Sequence, residues 1–298
     1  MSRMIPVALA RGVTIHCPED GRFAFFNSPY PAHRLSTGVD VYSGGGFGDA
    51  VPSPVGGEVT LIRRVRSPKG RSFRDPGYDV VTLIGDPVDP ETVVKILHVE
   101  PTVEVGDTLE PGEELGTLLR SGYFGYSTQP HAHLEVRRAS DPLRVRGGYP
   151  IRRLVNMGRL EPVDEIRGVV AKRLPGHAVL RLEGARYGLV GDIGGVHGVL
   201  DGGIPYYGWV GAHFEGTIKG GSIKLCGEPI AKIKEARGGT CTAECGAFVL
   251  GIDGVPVGLS LYFQPVSEPE IIVIPLGAPE LPVEESSEVV LSVGPIES

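Results

Sequence analysis

The sequence predicts an all-β protein with two domains: an antiparallel β-sandwich at the N-terminus and a second, Gly-rich all-β domain after it. Three observations lead there. Glycine (44) and proline (26) punctuate the chain throughout its 298 residues. Valine and isoleucine recur in short runs between these turn residues, and no long stretch shows a 3.6-residue apolar period. The length suffices for two cores of ordinary size. The expected division is 1–155, then an all-β domain of unassigned role over 156–264, then an acidic, Pro-rich tail over 265–298 that lacks Lys and Arg.

Taken in order, 12–16 and 23–26 read as short strands split by the turn Pro18-Glu19-Asp20-Gly21. A Pro-rich loop over 28–32 leads to His33. The run 37–42 alternates as a strand, with Val39 and Val41 on the core face and Asp40 on the other. A glycine loop over 44–48 precedes a strand at 57–63, a basic loop at 64–77 and a strand at 78–84. The strand expected over 92–99 carries His98 near its end. Turns at Gly106-Asp107 and Pro111-Gly112 lead to a strand ending in His131-Ala132-His133-Leu134-Glu135-Val136. Beyond 159, strand-like runs at 168–170, 178–182, 223–225 and 247–252 alternate with Gly-rich turns. In the tail, 271–274 and 289–293 are candidate strands, and the composition equally allows partial disorder.

A net charge of −7 argues against a general nucleic-acid binder, since phosphate contacts need clustered cations. Arg63, Arg64, Arg66, Lys69, Arg71 and Arg74 do gather, and read as a solvated loop. No apolar run is long enough to span a bilayer. The apolar stretch 4–10 is at the lower limit for a signal peptide and contains Pro6. Four cysteines make no disulfide scaffold. The expectation is a cytoplasmic protein with no membrane partner; the residues leave its oligomeric state open.

The chemistry concentrates at 121–136. Alternation places His131, His133 and Glu135 on one strand face and Ala132, Leu134 and Val136 on the other, which is wholly apolar. Two imidazoles held on one strand suit a metal site or proton transfer.

Residues 30–136 resemble the lysostaphin-type (LytM-like) zinc endopeptidases in four parts that fall in the family's order. Gly38-Val39-Asp40 resembles its Gly-x-Asp strand, and DAVPSPVGGEV (49–59) its "Pro-Val-x-Ala-Pro-x-Asp-Gly-x-Val" segment. His98, with VEVGDTLEPGEELG five residues later, resembles its His-Leu and Val-x-x-Gly-Asp elements. STQPHAHLEV (127–136) resembles "Ser-Thr-Gly-Pro-His-Leu-His-Phe-Glu-Val". The resemblance implies a barrel-sandwich hybrid fold and a zinc held by His33, Asp40 and His133. It also implies His98 and His131 as catalytic groups flanking a water, and a peptide or peptidoglycan-like substrate bound in a groove on the exposed sheet face.

The chain departs from that pattern in two places. The family's first ligand stands four residues before the Asp, where this chain has Ser36, whereas His33 stands seven before. Either the extra residues loop out and His33 completes the site, or Ser36 marks a lost ligand and the domain is an inactive binding or scaffolding module. Gln129 also replaces a usual Gly. The segments 49–59 and 103–119 resemble biotinyl and lipoyl carriers too, but Lys69 and Lys95 stand in neither carrier context. Cys226, Cys241 and Cys245 with His197 or His213 admit a second metal reading, against the plainer one of buried thiols. Gly-x-Ser-x-Gly and phosphate-loop patterns are missing.

Overall fold

The computed structural model describes residues 2–70, 73–161, 163–266 and 268–296. Nearly all regular structure is β, and the chain divides into two compact units, Met1–Phe23 with Tyr30–Val155, and Ala24–Pro29 with Asn156–Ser298. No helix among the described residues is long and apolar enough to cross a membrane.

The first unit is built on a seven-stranded antiparallel sheet. Its strands in chain order are β1 (Arg22–Ala24), β2 (Val39–Tyr42), β3 (Gly57–Arg66), β4 (Tyr78–Gly85), β5 (Thr92–Leu97), β6 (Thr108–Leu109) and β7 (Ala132–Arg138). In space they run β6-β3-β4-β5-β7-β2-β1. Three-stranded sheets formed by Arg152–Arg153, Met4–Ala10 and Val13–Pro18, and by Ala50–Pro52, Glu114–Leu118 and Val99–Pro101, complete the unit. Ala132, Leu134 and Val136 on β7 are fully buried beside Val39 and Ile96, as expected for the apolar face of an alternating strand.

Two expectations shift. The strand at 57–63 continues to Arg66, so Arg63, Arg64 and Arg66 lie on β3 and not in a loop. Arg64 there pairs with Glu100 at 2.8 Å and stacks over Tyr78; Arg71 lies outside the described residues. The strand expected over 92–99 breaks at His98, whose φ of +70° interrupts the extended backbone between Leu97 and Val99.

In the second unit the strand ladder closes on itself twice. Val190–Ile193, Val196–Ile204, Trp209–Phe214, Ser222–Leu225, Glu228–Arg237 and Thr240–Cys245 form one antiparallel ring. Ile166–Leu174, His177–Leu182, Phe248–Ile252, Val255–Leu261, Glu270–Pro275 and Glu288–Pro295 form the other. The first ring is thus inserted between the second and third strands of the other, and the pairing of Gly202–Ile204 with Leu259–Leu261 joins them. Closure removes the unpaired edges that invite foreign strands. Within this unit Phe26 lies against Gly211, where a Cβ would stand 2.0 Å from the Phe26 ring. The Asn27 amide donates to Ser260 Oγ at 2.7 Å.

Candidate metal centre

The site is assembled by register. On β7, His133 pairs with Asp40 of β2 on one side and with Leu97 of β5 on the other. Opposed residues on neighbouring strands hold their side chains about 5 Å apart. One row across three strands therefore carries Asp40, His133 and the end of β5, where His98 follows directly.

His33 arrives from outside the sheet. The expected irregular loop contains a single helical turn, α1 (Pro31–Arg34), with Pro31 at its first position, where a fixed φ suits a helix start. The turn ends through Ser36, which takes the left-handed conformation (φ +54°) usual just past a helix C-terminus. Thr37 and Gly38 N–H then donate back to Ala32 O at 2.8 and 3.1 Å. Residues 35–37 are looped out by this reversal, and His33 folds over Asp40. Gly38 keeps room for the second imidazole, since a Cβ there would stand 2.8 Å from His133 Cε1.

Three donor atoms meet as a result. His133 Nδ1 is 2.8 Å from Asp40 Oδ1, His33 Nε2 is 3.1 Å from His133 Nδ1, and His33 Nε2 is 3.3 Å from Asp40 Oδ1. Among the described residues this is the one His/Cys/Asp/Glu group with donor atoms close enough to share an ion. Tetrahedral zinc with bonds of about 2.0–2.1 Å places its ligand atoms about 3.3 Å apart. Imidazole nitrogen and carboxylate oxygen are both donors that the borderline-soft zinc ion accepts. A second feature fits a cation equally well. His131 Nδ1 lies 2.8 Å from the Gln129 carbonyl oxygen, which only accepts, so Nδ1 carries the proton and Nε2 a lone pair. That lone pair lies 3.5 Å from Asp40 Oδ2, a buried carboxylate oxygen with no hydrogen bond.

Electrostatics follow from burial and pairing. Burial opposes ionisation of Asp40, but His131, His33 and His133 outweigh it and hold the carboxyl well below its usual range. Burial likewise disfavours charge on His133, yet hydrogen bonds to Asp40 and Glu135 bring it up to about 9. Burial pushes His131 down to about 4, so it is neutral at pH 7. Behind the row, Glu135 Oε1 lies 3.5 Å from His133 Nε2 and is itself held by Lys95 and Arg137. A carboxylate on the far nitrogen of a ligating imidazole fixes the ring's orientation and tautomer.

His98 stands at the end of β5, its ring centroid 5.4 Å from that of His131 and 6.1 Å from that of His133. Its Nδ1 is 2.5 Å from Asp79 Oδ2. Phe124 packs on both His98 and His131 with centroids 4.9 Å away, Tyr42 covers His131, and Tyr123 bridges from His98 to Tyr30. The face expected to be an open groove is accordingly roofed: His131 and His133 are only 6 % and 7 % exposed.

Sequence reasoning missed Asp79, Ser121, Tyr123 and Phe124. The signal for Asp79 was a charged residue inside the otherwise apolar run YDVVTLIG. In the second unit, Cys226, Cys241 and Cys245 are free thiols in or against the hydrophobic core, and His213 pairs with Asp201, so no metal group forms there among the described residues. Lys95 is buried in its ion pair and unlike a carrier lysine, which must be free to swing.

The sequence profile of a family described as "Domain of unknown function (DUF8155) N-terminal domain" matches residues 14–153. No curated protein matches the chain. Among the solved structures similar to it are two of lysostaphin. One is described as the antimicrobial peptidase lysostaphin from Staphylococcus simulans, at 12% identity and a TM-score of 0.29, covering 79% of this chain and 90% of that one. The other is a solution structure of lysostaphin, at 14% identity and a TM-score of 0.27, covering 76% and 88%. At such scores neither likeness bears on the activity.

Proposed function

We propose that the first unit is a zinc-dependent peptidase that hydrolyses a peptide bond with an activated water. The observation that carries this reading is the meeting of His33 Nε2, Asp40 Oδ1 and His133 Nδ1 within 3.3 Å of one another. These three residues would hold the metal. The chemistry zinc supplies in an open three-ligand site is Lewis acidity, which polarises a carbonyl and lowers the pKa of water to about 7. The motif resemblance of residues 30–136 to lysostaphin-type enzymes supports the same reading and suggests a peptide or peptidoglycan-like substrate.

The protein's own groups divide the remaining work. His131, neutral and with its Nε2 lone pair directed at the cluster, accepts a proton from the attacking water. His98, across from it, acts on the other side of the reacting carbon, as base or as donor to the developing oxyanion. Glu135 holds His133 in place, and the rings of Tyr42, Tyr123 and Phe124 exclude bulk water.

The inactive-module reading requires His33 to lie far from the other two ligands, and separations of 3.1 and 3.3 Å count against it. Elemental analysis of the purified chain tests the proposal. We expect about one zinc per chain, and none in Asp40→Ala or His133→Ala. Failure to take up zinc after incubation with the metal would sink it.

A further inference from the structure

Asp79 is more completely engaged than any sheet residue needs to be. Its Oδ1 accepts from Val80 N–H at 2.7 Å and from His98 N–H at 2.9 Å. Its Oδ2 accepts from Ser121 Oγ at 2.6 Å and faces His98 Nδ1 at 2.5 Å. The carboxylate thus grips His98 at backbone and ring together, and the left-handed backbone of His98 makes this possible. A left-handed backbone is a strained conformation for a non-Gly residue. Burying a carboxylate carries a desolvation penalty as well. A neutral Asn or Ser satisfies backbone N–H groups without that penalty. A buried charge is warranted where the partner must donate from one defined nitrogen or turn cationic.

We propose that Asp79 is a positioning residue that fixes the tautomer of His98. An ionised carboxylate accepts and never donates, so Nδ1 carries the proton and Nε2 presents its lone pair toward the His131 side. Ser121 steadies Oδ2 from the flank. The inference rests on the reading above only in giving His98 a role in hydrolysis; the tautomer is a property of the chain alone.

The test is ¹⁵N-labelled full-length protein observed through long-range imidazole correlations, with His98 assigned by the signals lost in His98→Gln. We expect wild-type His98 protonated on Nδ1. In Asp79→Asn the amide NH₂ takes the place of Oδ2 and donates to Nδ1, which moves the proton to Nε2. Zinc content should stay at the wild-type value, while kcat on a peptide substrate falls about 10²- to 10⁴-fold with KM little changed, the range for removing one general acid or base. Wild-type His98 protonated on Nε2 overturns the inference and needs no variant to be seen. So does an Asp79→Asn protein whose tautomer and rate match wild type. Because the tautomer is read without substrate, it stands or falls separately from zinc binding and cleavage.

Discussion

The molecule contains two buried His–Asp pairs, and their surroundings set them apart. In the first unit His98 Nδ1 faces Asp79 at 2.5 Å, and the ring's other side is turned to His131, Tyr123 and Phe124. In the second, His213 Nε2 faces Asp201 at 2.9 Å, but the imidazole is wholly buried among Phe25, Phe26 and Phe263. Asp201 there also accepts from Phe25 N–H at 2.6 Å, so this pair pins the segment Ala24–Pro29 within its unit. The same two side-chain types make a fastener in one place, while in the other they stand beside a second imidazole. What differs is whether the ring packs among phenylalanines or beside another imidazole.

That contrast can be broken experimentally. The largest expected effect on stability is from Asp201→Ala, which leaves a buried imidazole without its carboxylate and should cost about 3–5 kcal/mol. Denaturant titration would show it, with zinc content in the folded protein unchanged; a loss below 1 kcal/mol would mean that the fastener is dispensable. Next comes Glu135→Gln, which loosens the far nitrogen of His133 and should weaken zinc binding 10- to 100-fold. Competition against a chelator of known affinity measures this, and wild-type affinity would remove Glu135 from the site.

The smallest effect is an acid dependence that belongs to Asp79. Burial disfavours its ionisation, but His98 and Ser121 overcome this and hold it at about 2, against about 3.9 in an unfolded chain. A depressed folded pKa adds stability above the unfolded value. The contribution, about 2.6 kcal/mol, is therefore mostly lost as pH falls from about 4 to 2. Wild type and Asp79→Asn should converge in denaturation midpoint over that window. A gap that persists at pH 2 would contradict the assignment.

The all-β class was legible in the sequence because turn residues and short β-branched runs are local signals. The two faces of β7 were legible for the same reason: alternation needs only neighbouring residues. His33 was harder. Its approach to Asp40 depends on α1 and on a left-handed Ser36, which no apolar period announces. Asp79 was not found because its partner lies nineteen residues away across a strand pair. Nor could the closing of two rings be read, since each closure joins strands through pairings that local patterning does not specify. The roof of aromatic rings over His131 and His98 is likewise a product of tertiary packing, assembled from 42, 123 and 124.

The insertion of one ring inside the other has a bearing on synthesis. Ile166 finds its partner at Leu291, more than a hundred residues further along. While a ribosome is still making that last strand, the inner ring already has all six of its own members and can shut. The outer one must wait with Ile166–Leu174 half-paired, a slow, long-range closure by the measure of contact order. A chaperone or a proteolytic cut during translation would be expected to find its opening there.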